Sequence, residues 1–518
     1  MLSSPADMEV ARRAAERGPA PERSRPAPAP SAGLRRAAAL ALAFLAFFAM
    51  SDFGLPLRPE FGAYAALLLL AWCGARPWRE LWALPYTRLL AAFVAFLVLH
   101  AAYASTIEPR SSYSEQLTVA AKLVKLGVFS CVVGWWLSLM PKAPPRLLAL
   151  MVLGLLVAVL GYMPWQELPR LFDGSLRPRF GLPENLSGLL AAVGGWLALC
   201  LLVGAWRLAP KNPHLRLGLL AAGLVLYGGA FMVLLFSQSR GAWLAFALAV
   251  PSMLLAFAAV RRRHSRLPWV PLVAAFATTV LLAVSAHEIL AQRFAGVDRL
   301  LGSVEAVVGA APERTPSADA DARASDRADR TRGTASGTKA PAPRRFASEA
   351  SGAAPEAELL DASTAPNKAA SVRLRLYEHG LGLARERPWF GWGLDTLPRL
   401  VAPLDLGGER HAHLHNAYLD ALVGIGAVGA LLLAGLFLLL AGELVQAARA
   451  RVITVGSFWA LAGALGIVLI ANLFDSLLWR FDYTRAPLEL LFGCCIAYGL
   501  IRRRRRAGTD ALSAAPRS

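Results

Sequence analysis

The chain has 518 residues, 56% of them hydrophobic and only 17% charged, with a mean hydropathy of +0.46. Soluble domains carry about 25% charged residues, and here the charges cluster between long apolar stretches, so an ordinary soluble fold is excluded and a polytopic membrane protein is indicated. The net charge of +19 reads as basic loops facing anionic lipid. No DNA or RNA recognition motif accompanies it, and no nucleic-acid partner is expected.

Residues 1–33 are rich in Ala, Pro and Arg and lack an apolar core. They read as a disordered cytoplasmic tail rather than a cleavable signal. About twelve apolar segments follow, near 34–53, 61–75, 88–105, 118–140, 146–163, 186–206, 216–236, 241–260, 267–287, 416–440, 453–474 and 485–501. Each is close to the roughly 20 residues that cross a bilayer. The expected fold class is therefore all-α. Lys and Arg recur in every second loop, for example Arg76 and Arg79, Lys142 and Arg146, Arg261 to Arg263, and Arg449 and Arg451. That bias places both termini in the cytoplasm.

The expected organisation is N-terminal transmembrane helices over 34–287, a periplasmic loop over 288–415, C-terminal transmembrane helices over 416–501 and a basic cytoplasmic tail over 502–518. Within the loop, 312–370 is Ala, Ser, Thr, Pro and charge with almost no large apolar residue, and is expected to be disordered. From 371 onward the composition predicts a short periplasmic helix and a packed aromatic loop. The five cysteines, Cys73, Cys131, Cys200, Cys494 and Cys495, all lie in apolar segments without metal-binding spacing. They read as small buried hydrophobes.

Four motifs in the outward loops carry polar chemistry. In Phe236-Ser-Gln-Ser-Arg-Gly-Ala-Trp243 two spans meet with almost no loop, which puts Arg240 at the membrane boundary beside Ser239. Small residues let backbone amides and a guanidinium approach an anion; an arginine snorkelling to the interface is the plain alternative. Arg373, Arg375 and Tyr377 precede Pro388-Trp-Phe-Gly-Trp-Gly393, a candidate sugar-stacking surface or an amphipathic helix lying on lipid. The run His411-Ala-His-Leu-His-Asn-Ala-Tyr418 leads into an apolar span. His415 would sit at that helix's start beside Asn416 and Tyr418, where a neutral imidazole suits a general base. Three alternating histidines also suggest a metal, or merely solvated loop side chains, but no acidic residue lies within the run, so no metal is expected. Arg179 belongs to a fourth outward segment, Arg177-Pro-Arg-Phe-Gly-Leu-Pro-Glu-Asn185.

Taken in order, these motifs resemble the O-antigen ligase and polymerase superfamily of bacterial envelope glycosyltransferases. Ser-Arg-Gly-Ala at 239–242, Arg373 to Gly393 and His-Leu-His-Asn-Ala-Tyr-Leu at 413–419 carry the resemblance, with Tyr377 where Trp is more usual and Glu184 in place of an Asn. It spans about 165–435. The resemblance implies a glycosyltransferase C-like architecture in the inner membrane and an active site on the periplasmic face. It implies a glycan donor on undecaprenyl pyrophosphate, a lipid A core acceptor and no cofactor. A polymerase joining lipid-linked repeat units and a protein O-oligosaccharyltransferase are the neighbouring activities. An anionic-lipid transporter is the reading from a different class. On the preferred reading His415, Arg240 and Arg373 are catalytic, and Arg179, Ser239, Arg375, Tyr377, Asn416 and Tyr418 bind substrate among membrane lipids.

Overall fold

Long apolar runs flanked by helix-starting residues produce helices throughout. The computed structural model describes residues 30–50, 59–74, 77–108, 111–208, 212–261, 269–293, 365–404, 411–476, 478 and 481–513. In chain order the helices are α1 Ala32–Phe48, α2 Pro59–Gly74, α3 Trp78–Trp82, α4 Pro85–Ile107, α5 Tyr113–Ser138, α6 Ala143–Tyr162, α7 Leu168–Phe172, α8 Glu184–Leu208, α9 Pro213–Phe236, α10 Arg240–Arg261 and α11 Trp269–Ser285. After the long loop come α12 Ala365–Glu386, α13 Leu397–Val401, α14 Ala417–Arg449, α15 Val455–Ala471 and α16 Phe481–Ser513. Proline opens α4 and α9, where its missing N–H costs nothing. Ser112 and Glu115 cap α5 reciprocally, an arrangement worth about 1 kcal/mol.

Helix occurs at each of the twelve apolar segments expected from the sequence. Seven of these helices, α4, α5, α6, α8, α9, α10 and α14, are long and apolar enough to cross a membrane. α11 and the helix His287–Arg293, bent by 71° at their junction, would together make an eighth, while Glu60–Trp72 and Val455–Ala471 are apolar but shorter. The chain is thus an all-helical multi-pass membrane protein, with no strand among the described residues. The figure of twelve crossings remains an expectation.

The chain divides into two compact units. One comprises 1–289 with 376–518, the other 290–375. In the first, α8 is the most buried of the seven candidate spans and packs against α6, α9, α10 and α15. α16 runs along α5 and α14. Of the second unit only 290–293 and the start of α12 are described. α12 begins at Ala365, so its first residues fall inside the stretch expected to be disordered; the rest of 312–364, like most of the N-terminal tail, lies outside the described residues.

α14 is a broken helix. Gly426 has φ +64° and ψ −176°, a backbone region open essentially to glycine alone. The loop Pro388–Gly393 is spliced into the break. Trp392 N donates to Val423 O (2.8 Å) and Gly393 N to Gly424 O (2.9 Å). On the other side Ala427 N donates to Pro388 O (2.8 Å) and Val428 N to Trp389 O (3.1 Å). Backbone groups freed within a membrane helix must find partners in the protein, and this loop supplies them. A Cβ at Gly426 would come within 2.3 Å of Trp389 O, and one at Gly391 (φ +67°) within 2.5 Å of Val423 O. The aromatic loop is therefore anchored through its backbone. Its Trp392 indole donates to Leu383 O (3.0 Å) beneath the Arg387 guanidinium, 4.4 Å from the ring centroid.

Candidate active site

The His-rich run forms a turn held from three sides. Asn416 caps α14, its side chain accepting from Tyr418 N and Leu419 N at 3.1 Å each. His415 takes φ +55°, a left-handed conformation that costs a non-glycine residue about 1–2 kcal/mol. Three contacts offset that strain. Tyr377 Oη donates to His415 O (3.2 Å), Leu414 N donates to Asp420 Oδ1 (2.9 Å) and Ala417 N donates to Asn472 O (2.9 Å). The turn is thus fixed by α12, by the first turn of α14 and by the end of α15.

Just beyond α15 the chain presents Asp475, only 4% exposed. Its Oδ1 accepts from Ser476 N (2.8 Å) and lies 3.5 Å from His413 Nε2 and 3.6 Å from His415 Nδ1. Its Oδ2 accepts from Asn185 Nδ2 (2.9 Å), and Asn185 Oδ1 accepts from Arg177 Nη2 (3.0 Å). Arg177 Nε in turn donates to Ser237 O (2.7 Å). A polar chain therefore runs from the turn between α9 and α10, through the start of α8, to the two histidines. Burial draws the Arg177 pKa below its ordinary value, while Glu184 opposes the shift.

Arg240 is the first residue of α10 and is half-buried. Its helix abuts the Asp475 loop: a Cβ on Gly241 would lie 3.0 Å from Phe474 Cβ. Ser239 is buried, and its Oγ accepts from Ala242 N (3.4 Å) at the helix start. Gln238, at φ +50°, donates through its amide to Gly174 O and Leu176 O. These bonds tie the Arg177 segment to the same turn.

The structure thus brings together His415, Asn416, Tyr377 and the Ser239–Arg240 turn. Arg179 points elsewhere: its side chain is 80% exposed and pairs with Glu184 at 3.0 Å. Tyr418 donates its hydroxyl to Leu469 O (2.7 Å). Arg373, half-buried, and Arg375, exposed, lie on the part of α12 that belongs to the separate 290–375 unit. Four participants were not singled out from the sequence: Arg177, Asn185, Asp420 and Asp475. Asp420 offered a signal, being a carboxylate inside an apolar helix; it is 3% exposed. His413, His415 and Asp475 each offer one ligand atom, all within 4.8 Å of one another. That donor set could hold a cation; the His run alone argues against one because the carboxylate comes from another helix end.

Residues 229–434 match the family model described as O-antigen ligase. The match covers less than half of the chain and supports a relationship to the O-antigen ligase and polymerase superfamily. The matched segment runs from α9 to just past the break in α14 and contains Arg240, Arg373 and His415. Arg177, Asn185 and Asp475 fall outside it, so the polar chain joins the family core to its flanking helices. No curated protein matches the chain. The match supports an O-antigen ligase or polymerase-type activity, in a family of glycosyltransferase-like enzymes that work on lipid-linked glycans and lipid acceptors.

Proposed function

We propose that the protein is an O-antigen ligase that transfers a glycan from undecaprenyl pyrophosphate to the lipid A core, on the periplasmic face of the bacterial inner membrane. The observation that carries the reading is the His415–Asp475 pairing at the edge of the family core, with Arg177 and the Arg240 turn beside it. On this reading both termini are cytoplasmic and 288–415 is periplasmic. Reporter fusions at residues 330 and 510 should then report opposite compartments; the same compartment for both would break this topology and the site with it.

The acceptor hydroxyl is a poor nucleophile and needs a base as it attacks. Asp475 faces His415 Nδ1 and favours a proton there, which leaves the Nε2 lone pair for the acceptor. The acceptor oxygen bonds to the anomeric carbon, the bond to the pyrophosphate oxygen breaks with its electron pair, and the acceptor proton passes to His415 Nε2. The leaving pyrophosphate needs cations rather than an acid, and arginine forks match phosphate oxygens. Arg177 and Arg240 are proposed for that role from their positions, and Arg373 from its motif alone. Transfer needs no metal in this scheme.

Purified protein with lipid-linked donor and core acceptor tests the reading. General-base catalysis contributes ~10²–10⁴-fold, so His415→Ala should lose transfer on that scale while still binding donor. A His415→Ala rate near wild type would remove the base. Gene deletion separates the two neighbouring activities. Uncapped lipid A core with accumulated long lipid-linked glycan supports the ligase, whereas core carrying a single repeat unit identifies the polymerase.

A further inference from the structure

We propose that His413, His415 and Asp475 form a zinc site whose occupation switches transfer off. The switch rests on the reading of His415 as the base; the site itself does not. A zinc ion held by imidazole nitrogen and carboxylate oxygen at 2.0–2.2 Å in a tetrahedron sets its ligand atoms about 3.3–3.6 Å apart. Asp475 Oδ1 stands 3.5 Å from His413 Nε2 and 3.6 Å from His415 Nδ1. These separations are long for hydrogen bonds, which cluster at 2.7–3.2 Å, but they match two edges of that tetrahedron. The third edge lies within 4.8 Å.

The surroundings suit a bound divalent ion. Ligating carboxylates are usually held by a further hydrogen bond, and Asn185 Nδ2 holds Asp475 Oδ2 at 2.9 Å. Two carboxylates flank the histidines, Asp475 directly and Asp420 through Leu414 N. Arg177 is separated from Asp475 by Asn185. Each imidazole is 19% exposed, so solvent reaches the histidines and can supply water as a fourth ligand.

Inhibition follows from the tautomer. A metal on His415 Nδ1 takes the lone pair there and forces the remaining ring proton onto Nε2. The lone pair that would accept the acceptor proton is then gone. Asp475 is withdrawn from its orienting role in the same step. Zinc binding and proton transfer are therefore mutually exclusive at one imidazole.

Chelator-treated, full-length protein in detergent or nanodiscs is titrated with Co²⁺ as a spectroscopic probe, then with Zn²⁺. Wild type should bind one Co²⁺ with the intense visible bands of a four-coordinate ion, and Zn²⁺ should displace it. His413→Gln and Asp475→Asn should weaken binding by more than the ~10–100-fold that loss of an outer-shell partner costs. Zn²⁺ should stop transfer by wild type reversibly, with chelator restoring it. His413→Gln, which takes no part in the proposed proton transfer, should keep transfer and lose zinc sensitivity. Unchanged Co²⁺ affinity in both variants, with their thermal unfolding as in wild type, would overturn the site. Zinc that binds without slowing transfer overturns the switch, and so does a chelated enzyme that is inactive until zinc is restored. If His415→Ala transfers glycan normally, the base reading and the switch fall together while the Co²⁺ bands still decide the site.

Discussion

Arg177 and Arg179 are two residues apart and have opposite surroundings. Arg179 forms one exposed pair with Glu184, and such surface pairs are worth about 0–1 kcal/mol. Arg177 donates to Ser237 O and to Asn185 Oδ1 in a part-buried setting, where a hydrogen bond from a charged group is worth about 1.5–3 kcal/mol. Arg177→Ala should therefore slow transfer by roughly 10- to 100-fold, because Asn185 loses the partner that aligns it on Asp475. Arg179→Ala should stay within a few-fold of wild type. Initial rates at matched expression decide it, and equal losses in both variants would mean that the polar chain does not serve the site. The sequence reading favours Arg179 over Arg177, although nothing in the residue pattern separates the two. Which one turns inward depends on the positive φ angles at Phe180 (48°) and Gly181 (75°), which reverse the chain between them and α8. His415, Ser239 and Arg240 were legible because polar residues at the ends of apolar spans have few structural reasons to be there. Asp475 looked the same as any polar residue leaving a helix; its importance appears only when α15 is packed beside α8 and α14.

At the scale of elements, the apolar run lengths made the twelve long apolar helices visible, but not the short helices α3, α7 and α13 nor the break in α14. Hydrophobic periodicity does not change when one glycine flips its φ, so 416–440 reads as a single span. Nor does the sequence, which offers the Pro388–Gly393 segment as a sugar-stacking surface or an amphipathic helix on lipid, show that its backbone completes the broken helix or that His100 Nε2 donates to Phe390 O at 2.6 Å. Two glycines of α14 separate the two demands. Gly426→Ala adds about 1–3 kcal/mol of backbone strain and drives a methyl group into Trp389 O, 2.3 Å from the ideal Cβ. Gly442, helical and with nothing within 4 Å of its ideal Cβ, should gain about 0.5–1 kcal/mol on becoming Ala. Thermal unfolding in detergent should fall for Gly426→Ala and rise or hold for Gly442→Ala. A Gly426→Ala protein as stable as wild type would mean the splice is not needed to hold α14.

Across the whole molecule the two ends of α14 carry opposite chemistry. The His415 turn starts the helix; about 35–40 Å farther on by helical rise, Glu443 accepts from Arg502 Nη2 (2.6 Å) and Arg503 Nη2 (3.1 Å). Arg504 pairs with Glu80, which also accepts from the Trp135 indole (3.1 Å). The basic run expected to be a free cytoplasmic tail is in its first three residues part of the fold, and Arg502 is only 3% exposed. The composition could not tell these arginines from lipid-facing ones, since both satisfy the same charge bias. Their difference has a testable consequence. Ending the chain after residue 506 should leave assembly intact, because Arg502 to Arg504 remain. Ending it after residue 501 strips Glu443 of both partners inside the protein, and breaking a buried pair from one side costs about 3–5 kcal/mol. That shorter chain should express poorly or unfold at lower temperature. Adding Glu443→Gln to it should recover much of the loss, since the uncompensated charge goes with it. If the 501-residue chain is as stable as the 506-residue chain, or if Glu443→Gln brings no recovery, the arginine run acts on lipid alone and the ion pairs with Glu443 do not hold α14 to α16.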